Sequence, residues 1–159
     1  MEIKKKYSAL DPHQALLKAQ KYCAYQERSQ QEVRDKLYSY GLHRKDVESL
    51  IAELITSGFL KEERFAVAFA GGKFRMKGWG RTKIKSALKQ KKVSEVLIRQ
   101  ALKSIDEQEY DKSLRKIISA KVKKTTEQHP AKRNYKIAQY VIGRGFEPEL
   151  VWEILNERN

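Results

Sequence analysis

Lysine and arginine crowd one stretch of the chain. Between Gly71 and Val93, GGKFRMKGWGRTKIKSALKQKKV, nine of them occur without a single Asp or Glu. Arg81, Lys85, Lys89 and Lys92 follow one another at spacings of four, four and three, which predicts one shared helix face beside an Ile84/Leu88 stripe. Lys73, Arg75 and Lys77 precede them, with Phe74 and Trp79 interleaved. Cations beside aromatic rings suit phosphate contact with base stacking, or an acidic protein surface gripped through a Trp anchor. A run of charge is more often only a solvated helix face. Nine bases with no acid among them cannot pair within the stretch, and this favours a binding surface.

The distribution of charge over the whole chain supports that reading. Of a formal net charge of +14, residues 61–105 carry +10, and residues 1–60 and 106–159 carry +2 each. A charge serving only solubility would be spread more evenly, so the middle third is expected to face a polyanionic partner. A weaker cluster, Lys121, Lys123, Lys124, Lys132, Arg133 and Lys136, flanks the polar segment KKTTEQH. It is either a solvated linker or a secondary basic surface. Trp79, between Gly78 and Gly80, is either an interface anchor or a plug between packed units. Tyr22, Tyr25, Tyr38 and Tyr40 are read as core-edge residues.

Nothing in the sequence assembles a catalyst. His13, His43 and His129 are scattered, one cysteine excludes a zinc pattern, and no Ser, His or acid stands in a nucleophile's context. Gly78-Trp79-Gly80 lacks the preceding strand and third glycine of a nucleotide loop. The expectation is a protein that is not an enzyme, with no catalytic residue, metal or cofactor. With 40% apolar and 34% charged residues and a mean hydropathy of −0.73, a modest core under much solvated surface is expected. No apolar run approaches the ~18 residues of a membrane span, and MEIKKKYSAL has no apolar signal region. The lone Cys23 suits a reducing interior. A cytoplasmic monomer with no membrane contact is the expectation.

These residues must be positioned by helices, because apolar residues recur at helical spacing almost throughout and no strand pattern is convincing. Pro12, Pro130 and Pro148 each stand where a helix would begin, after Asp11, His129 and Glu147. Ser29 with Glu32 has capping-box spacing, and Gly41 and Gly58 are natural stops. Helices are expected from about Asp11 to Tyr25, from Ser29, over Arg44–Ser57, from Leu60, over Arg81–Lys91, over Ser94–Ile105, from Glu107, and over Pro130–Ile142 and Pro148–Glu157. In the helix from Leu60, Phe65, Ala68 and Phe69 are expected inward. Gly71-Gly72 predicts a bend or fray there, at roughly 1 kcal/mol per glycine relative to alanine.

Three copies of one pattern emerge. Val33, Leu37 and Leu42 correspond to Ile84, Leu88 and Val93 and then to Ile137, Val141 and Phe146. Val47, Leu50 and Ile51 likewise correspond to Ile98, Ala101 and Leu102, and to Val151, Ile154 and Leu155. The fold class expected is therefore all-α: three tandem three-helix repeats forming an elongated, curved array. The boundaries are an N-terminal tail over 1–10, then repeats over 11–58, 59–105 and 106–159.

EERFAVAF, KFRMKGWGRTKIKSALKQKKVSEVLIRQAL, SQQEVRDKLYSYG and VESLIAELITSGFLKEERF together resemble the RecX family of bacterial recombinase regulators. The resemblance runs from about Asp11 to the C-terminus and is strongest between Ser29 and Ile105. It implies a curved array that binds the RecA recombinase in the groove of its filament on single-stranded DNA. Such a protein restrains ATP hydrolysis and strand exchange, as a negative modulator of homologous recombination, DNA repair and the SOS response. It also implies Lys73, Arg75, Lys77, Arg81, Lys83 and Lys85 as the best contacts, with single-stranded DNA as a further partner. Two departures stand out: Lys92 occupies a place where many members have glycine, and Gly71-Gly72 replaces polar residues. Without the resemblance, a DNA- or RNA-binding helical module would account for the same basic face.

Overall fold

A computed structural model describes residues 9–158; residues 1–8 of the expected N-terminal tail lie outside the described residues. Among the described residues there are nine α-helices and no strand. They are α1 Pro12–Tyr25, α2 Gln30–Ser39, α3 Arg44–Thr56, α4 Glu62–Lys77, α5 Arg81–Gln90, α6 Glu95–Lys103, α7 Glu107–Lys124, α8 Pro130–Gly143 and α9 Pro148–Glu157. No helix among the described residues is long and apolar enough to cross a membrane. The chain gathers into two compact units. One holds the chain up to Ala66 with Lys91–Val93, and the other Val67–Gln90 with the chain from Ser94 onward.

Local chemistry sets most helix ends. The three prolines fill first-turn positions, where a missing N–H costs little. Asp11 and His129 accept the N–H of His13 and Lys132, while Ser29, buried, accepts the N–H of Glu32 at 3.0 Å. Glu147 starts α9 without a capping bond, because its carboxylate is engaged elsewhere in the same unit. At Gly58, with φ +81°, the N–H groups of Gly58 and Phe59 return to the carbonyls of Ile55 and Leu54. That is the Schellman pattern, and it folds Phe59 and the fully buried Leu60 back onto the first core.

In the first unit α1, α2 and α3 pack mutually around Ala15, Ala19, Val33, Leu37, Val47, Leu50 and Leu54. Glu62, at the start of α4, accepts the N–H of Gln30 at 3.1 Å, and Lys91 reaches Glu32 at 2.9 Å. In the second unit α5 packs on α6, and α8 on both α7 and α9. Phe74, Tyr110 and Phe146 form a chain of rings there, with centroids 5.7 and 5.3 Å apart. Of the repeated apolar positions named above, all are buried except Leu102, which is half-buried.

Three local expectations are corrected. α4 runs unbroken through Gly71-Gly72. Gly71 is buried, and the Arg75 guanidinium lies where its side chain would begin, 2.7 Å from the place a Cβ would take. The residue one turn on thus covers the gap, while buried Phe65, Ala66, Ala70 and Phe74 hold the helix on both sides of it. Ala68 is exposed rather than inward. The segment KKTTEQH is shorter than a linker, because Lys123 and Lys124 belong to the last turn of α7, where cations complement the carbonyl end.

Lys92 lies beyond the end of α5 with φ +60°, so it does not share the face of Arg81, Lys85 and Lys89. The corresponding positions of the pattern are Gly41 at +85° and Gly145 at +100°. The left-handed region explains the preference for glycine there. Lys92→Gly is expected to raise unfolding stability by about 1 kcal/mol, the relief of side-chain strain being partly offset by the freer unfolded glycine. Urea denaturation measures it.

Candidate partner-binding site

The basic stretch occupies the last turn of α4, the Gly78–Gly80 turn and the exposed face of α5. Gly78, at φ +66°, turns the chain out of α4, and its N–H and that of Trp79 return to the carbonyls of Phe74 and Lys73. Arg144 closes this end from α8. It donates to the carbonyls of Lys77 at 2.8 Å and Gly78 at 3.3 Å, and to the Tyr140 hydroxyl at 3.1 Å. The turn is thereby fixed on the folded body of the second unit. Gly80 locks it further: its N–H donates to the Arg144 carbonyl, and the Thr82 N–H to that of Gly145.

Trp79, half-buried, is the centre of what this turn presents. The Lys73 ammonium lies 5.0 Å and the Lys83 ammonium 4.6 Å from its ring centroid. Lys73 also reaches the Phe69 ring at 5.4 Å. Arg75, Lys77 and Lys85 are exposed nearby in sequence, and so is Met76, at 85%. No carboxylate among the described residues pairs with Lys73, Arg75, Lys77, Lys83 or Lys85. A Trp between two unneutralised ammonium groups can stack on a planar group while the lysines meet its negative charge.

Arg81 separates from this set. Its guanidinium lies 3.7 Å over the Tyr110 ring, 2.8 Å from Glu147 and 3.0 Å from Glu107, with only 19% of its side chain exposed. Burial, the largest single cause, pulls its pKa down, but the Glu147 hydrogen bond together with the charges of Glu147, Tyr110 and Glu107 outweighs it, and the net shift is upward. Two other bases are also paired, Lys89 with Glu95 at 3.6 Å and Lys91 with Glu32 at 2.9 Å. No acid within the stretch pairs with its bases, yet three of them are paired all the same. The acids come from outside the stretch, Glu147 from 66 residues away.

The Tyr110 hydroxyl donates to Glu147 and accepts the N–H of Arg81 at 3.1 Å. Burial, then the bond to Glu147, raises the pKa of this hydroxyl well above the ordinary tyrosine value. A raised pKa stabilises the fold fully below the unfolded value, about 10, and the contribution is lost as pH rises beyond it. Tyr110→Phe is therefore expected to cost about 1–3 kcal/mol at neutral pH, by leaving the part-buried Arg81 N–H and one oxygen of Glu147 without the hydroxyl that bridges them. The variant should also lose less stability than the parent between pH 9 and 11 (roughly the tyrosine range). Urea titrations at the two pH values check both.

The residues of the second basic cluster stand in different environments. Lys121 lies 4.2 Å from the Tyr140 ring, whose hydroxyl the Arg144 hydrogen bond shifts to lower pKa. Lys123 and Lys124 are exposed at the end of α7, and Lys132 is exposed on α8. Lys136 pairs with Glu127 at 3.2 Å, and Arg133 is half-buried. Sequence reasoning missed Arg144, Tyr140 and Glu147. Arg144 and Glu147 reach groups 66 residues away in sequence, which no local spacing announces, while Tyr140 is drawn in by Arg144 four residues on.

The chain is similar to known proteins in sequence and in fold. The models of the first and second three-helix domains of RecX match residues 15–54 and 62–102 in that order. The regulatory protein RecX of Prosthecochloris aestuarii is 30% identical over 152 residues, covering 92% of this chain and 95% of that one. The regulatory protein RecX of Clostridium tetani is 30% identical over 141 residues, and the chain spans 64% of its length. In fold, the crystal structure of RecX from Lactobacillus salivarius superimposes with a TM-score of 0.83 at 20% identity, covering 92% of this chain and 95% of that one. With two family domains matched in sequence order and a relative aligned along nearly its whole length, the chain belongs to the RecX family of regulatory proteins.

Proposed function

We propose that the chain is a negative regulator of the RecA recombinase. It binds in the groove of the recombinase filament on single-stranded DNA and restrains ATP hydrolysis and strand exchange, and so acts in DNA repair, homologous recombination and the SOS response. In this reading residues 11–58, 59–105 and 106–159 work as three three-helix units of a cytoplasmic monomer, and the middle one carries the main contact. The observation that supports it most is Trp79 with the ammonium groups of Lys73 and Lys83 over its ring, neither of which has an acid partner among the described residues. A site already neutralised by its own fold would have nothing to offer a polyanionic filament; this one retains its charge.

A second reading, an autonomous DNA- or RNA-binding module, rests on the same indole and lysines, since base stacking and phosphate contact need that combination. Co-sedimentation with pre-formed recombinase filaments, at near-physiological salt and with bare DNA in excess, separates the two. Retention on the filament under that competition supports the regulator. Partition onto the bare DNA overturns it in favour of the second reading.

A further inference from the structure

The first unit carries its own cluster of rings and cations, outside the site described above. On α1, Lys18, Lys21, Tyr22 and Tyr25 recur at spacings of three, one and three, so they lie along one helix face. The buried stripe Ala15, Ala19 and Cys23 lies on the neighbouring face and fixes how the helix is turned. Arg28 folds back from the end of α1. Its Nε donates to the Tyr22 carbonyl at 3.0 Å, and its guanidinium lies 3.8 Å from the Tyr22 ring and 5.9 Å from that of Tyr25. From α2, Lys36 reaches the Tyr22 ring at 5.4 Å, while Lys18 lies 5.8 Å from the Tyr40 ring.

Tyr22 and Tyr40 are half-buried against the first core, as core-edge residues, whereas Tyr25 is not. Tyr25 is 83% exposed. The acids nearest in sequence are already engaged. Glu27 takes Arg64 at 2.9 Å, and Asp35 accepts from Gln31 at 2.9 Å. No carboxylate among the described residues pairs with Lys18, Lys21, Arg28 or Lys36. An exposed ring beside cations that no carboxylate among the described residues pairs with matches the needs of an unpaired nucleotide strand. Its bases require only a flat ring, and its phosphates require positive charge at the ring edges.

We propose that this face of the first unit is a binding site for single-stranded nucleic acid. A base stacks on Tyr25, and the flanking phosphates are met by Lys18, Lys36 and the free edge of Arg28. The site is independent of the Trp79 contact and does not depend on the partner assigned there.

The test is fluorescence anisotropy of a labelled oligothymidylate titrated with the full chain and its variants. Tyr25→Ala is expected to weaken binding about tenfold, the loss typical of one stacked base, while Tyr25→Phe, which keeps the ring, retains the parent affinity. Lys18→Ala/Lys36→Ala is expected to lower the slope of log affinity against log salt by about 1.4, since each phosphate contact on a single strand contributes about 0.7. All three positions are exposed, so these variants fold. Unchanged oligonucleotide affinity in Tyr25→Ala overturns the proposal. So does a variant that binds the oligonucleotide normally but no longer associates with recombinase filaments, because the face would then be a protein contact.

Discussion

Lys73→Glu/Lys83→Glu is expected to weaken association with the recombinase filament about 100-fold, and inhibition with it, while leaving the fold intact. Two charges are reversed within about 5 Å of the Trp79 ring. A reversed contact replaces attraction by repulsion, and about 1.4 kcal/mol for each reversed contact gives two decades in affinity. Neither lysine holds another part of the chain by an ion pair, so thermal melting should stay close to that of the parent. Arg81→Glu provides the contrast. It sets a carboxylate beside Glu147 and Glu107 and removes the cation over Tyr110. Its expected loss is about 3–5 kcal/mol of stability, the cost of breaking a part-buried pair from one side. Any loss of inhibition there reflects an unfolded second unit. Filament co-sedimentation and melting curves on the same preparations distinguish the two variants. Equal loss of stability in both would contradict the assignment of Arg81 to the scaffold.

Gly80→Ala should be the most damaging single-methyl change. A Cβ on Gly80 would lie 2.3 Å from the Gly145 carbonyl carbon and 2.4 Å from the Phe146 nitrogen. Those atoms are backbone, at a turn held by hydrogen bonds from Gly80 and Thr82, so they have no rotamer to escape into. The start of α5 must separate from the α8–α9 turn, and the bonds between them go with it. About 4 kcal/mol is expected, beyond the usual cost of overpacking, because backbone rather than side chain must move. Gly143→Ala is the control: a Cβ there meets nothing within 4 Å in a helix, and a gain of up to about 1 kcal/mol is expected. Urea unfolding of the three proteins tests this, and a Gly80→Ala cost under about 1 kcal/mol would show that the approach is not as close as described.

The helices and their ends were readable because their causes are local. The proline starts, the Ser29 cap, the Gly58 stop and the spacing of Val33, Leu37 and Leu42 each depend on residues within about two turns of one another. The errors arose where a distant residue decides. Gly71-Gly72 looked like a weak point until Arg75 was seen to cover Gly71. Four cations at helical spacing looked like one face, but Lys92 lies past the helix end and Arg81 turns inward. Charge within a window counts acids in sequence, and the acids that matter to Arg81, Glu107 and Glu147, arrive through α7 and α9. What survives of the candidate site is the part without such a partner: Lys73, Trp79 and Lys83, with Arg75, Lys77 and Lys85 exposed beside them in sequence. Tyr25 was misjudged for a related reason. Periodicity puts it near a core edge, and only the packed helices reveal an exposed ring beside a guanidinium.

The central claim is regulation of a recombinase filament, and ATP hydrolysis by RecA on single-stranded DNA tests it most directly. Pre-formed filaments would be titrated with the chain at near-physiological salt, with DNA in excess so that competition for the strand is excluded. A dose-dependent fall at equimolar or lower protein is predicted, with Lys73→Glu/Lys83→Glu inactive at the same concentrations. An unchanged rate, together with tight binding to the bare strand, would contradict the claim and leave a nucleic-acid-binding protein.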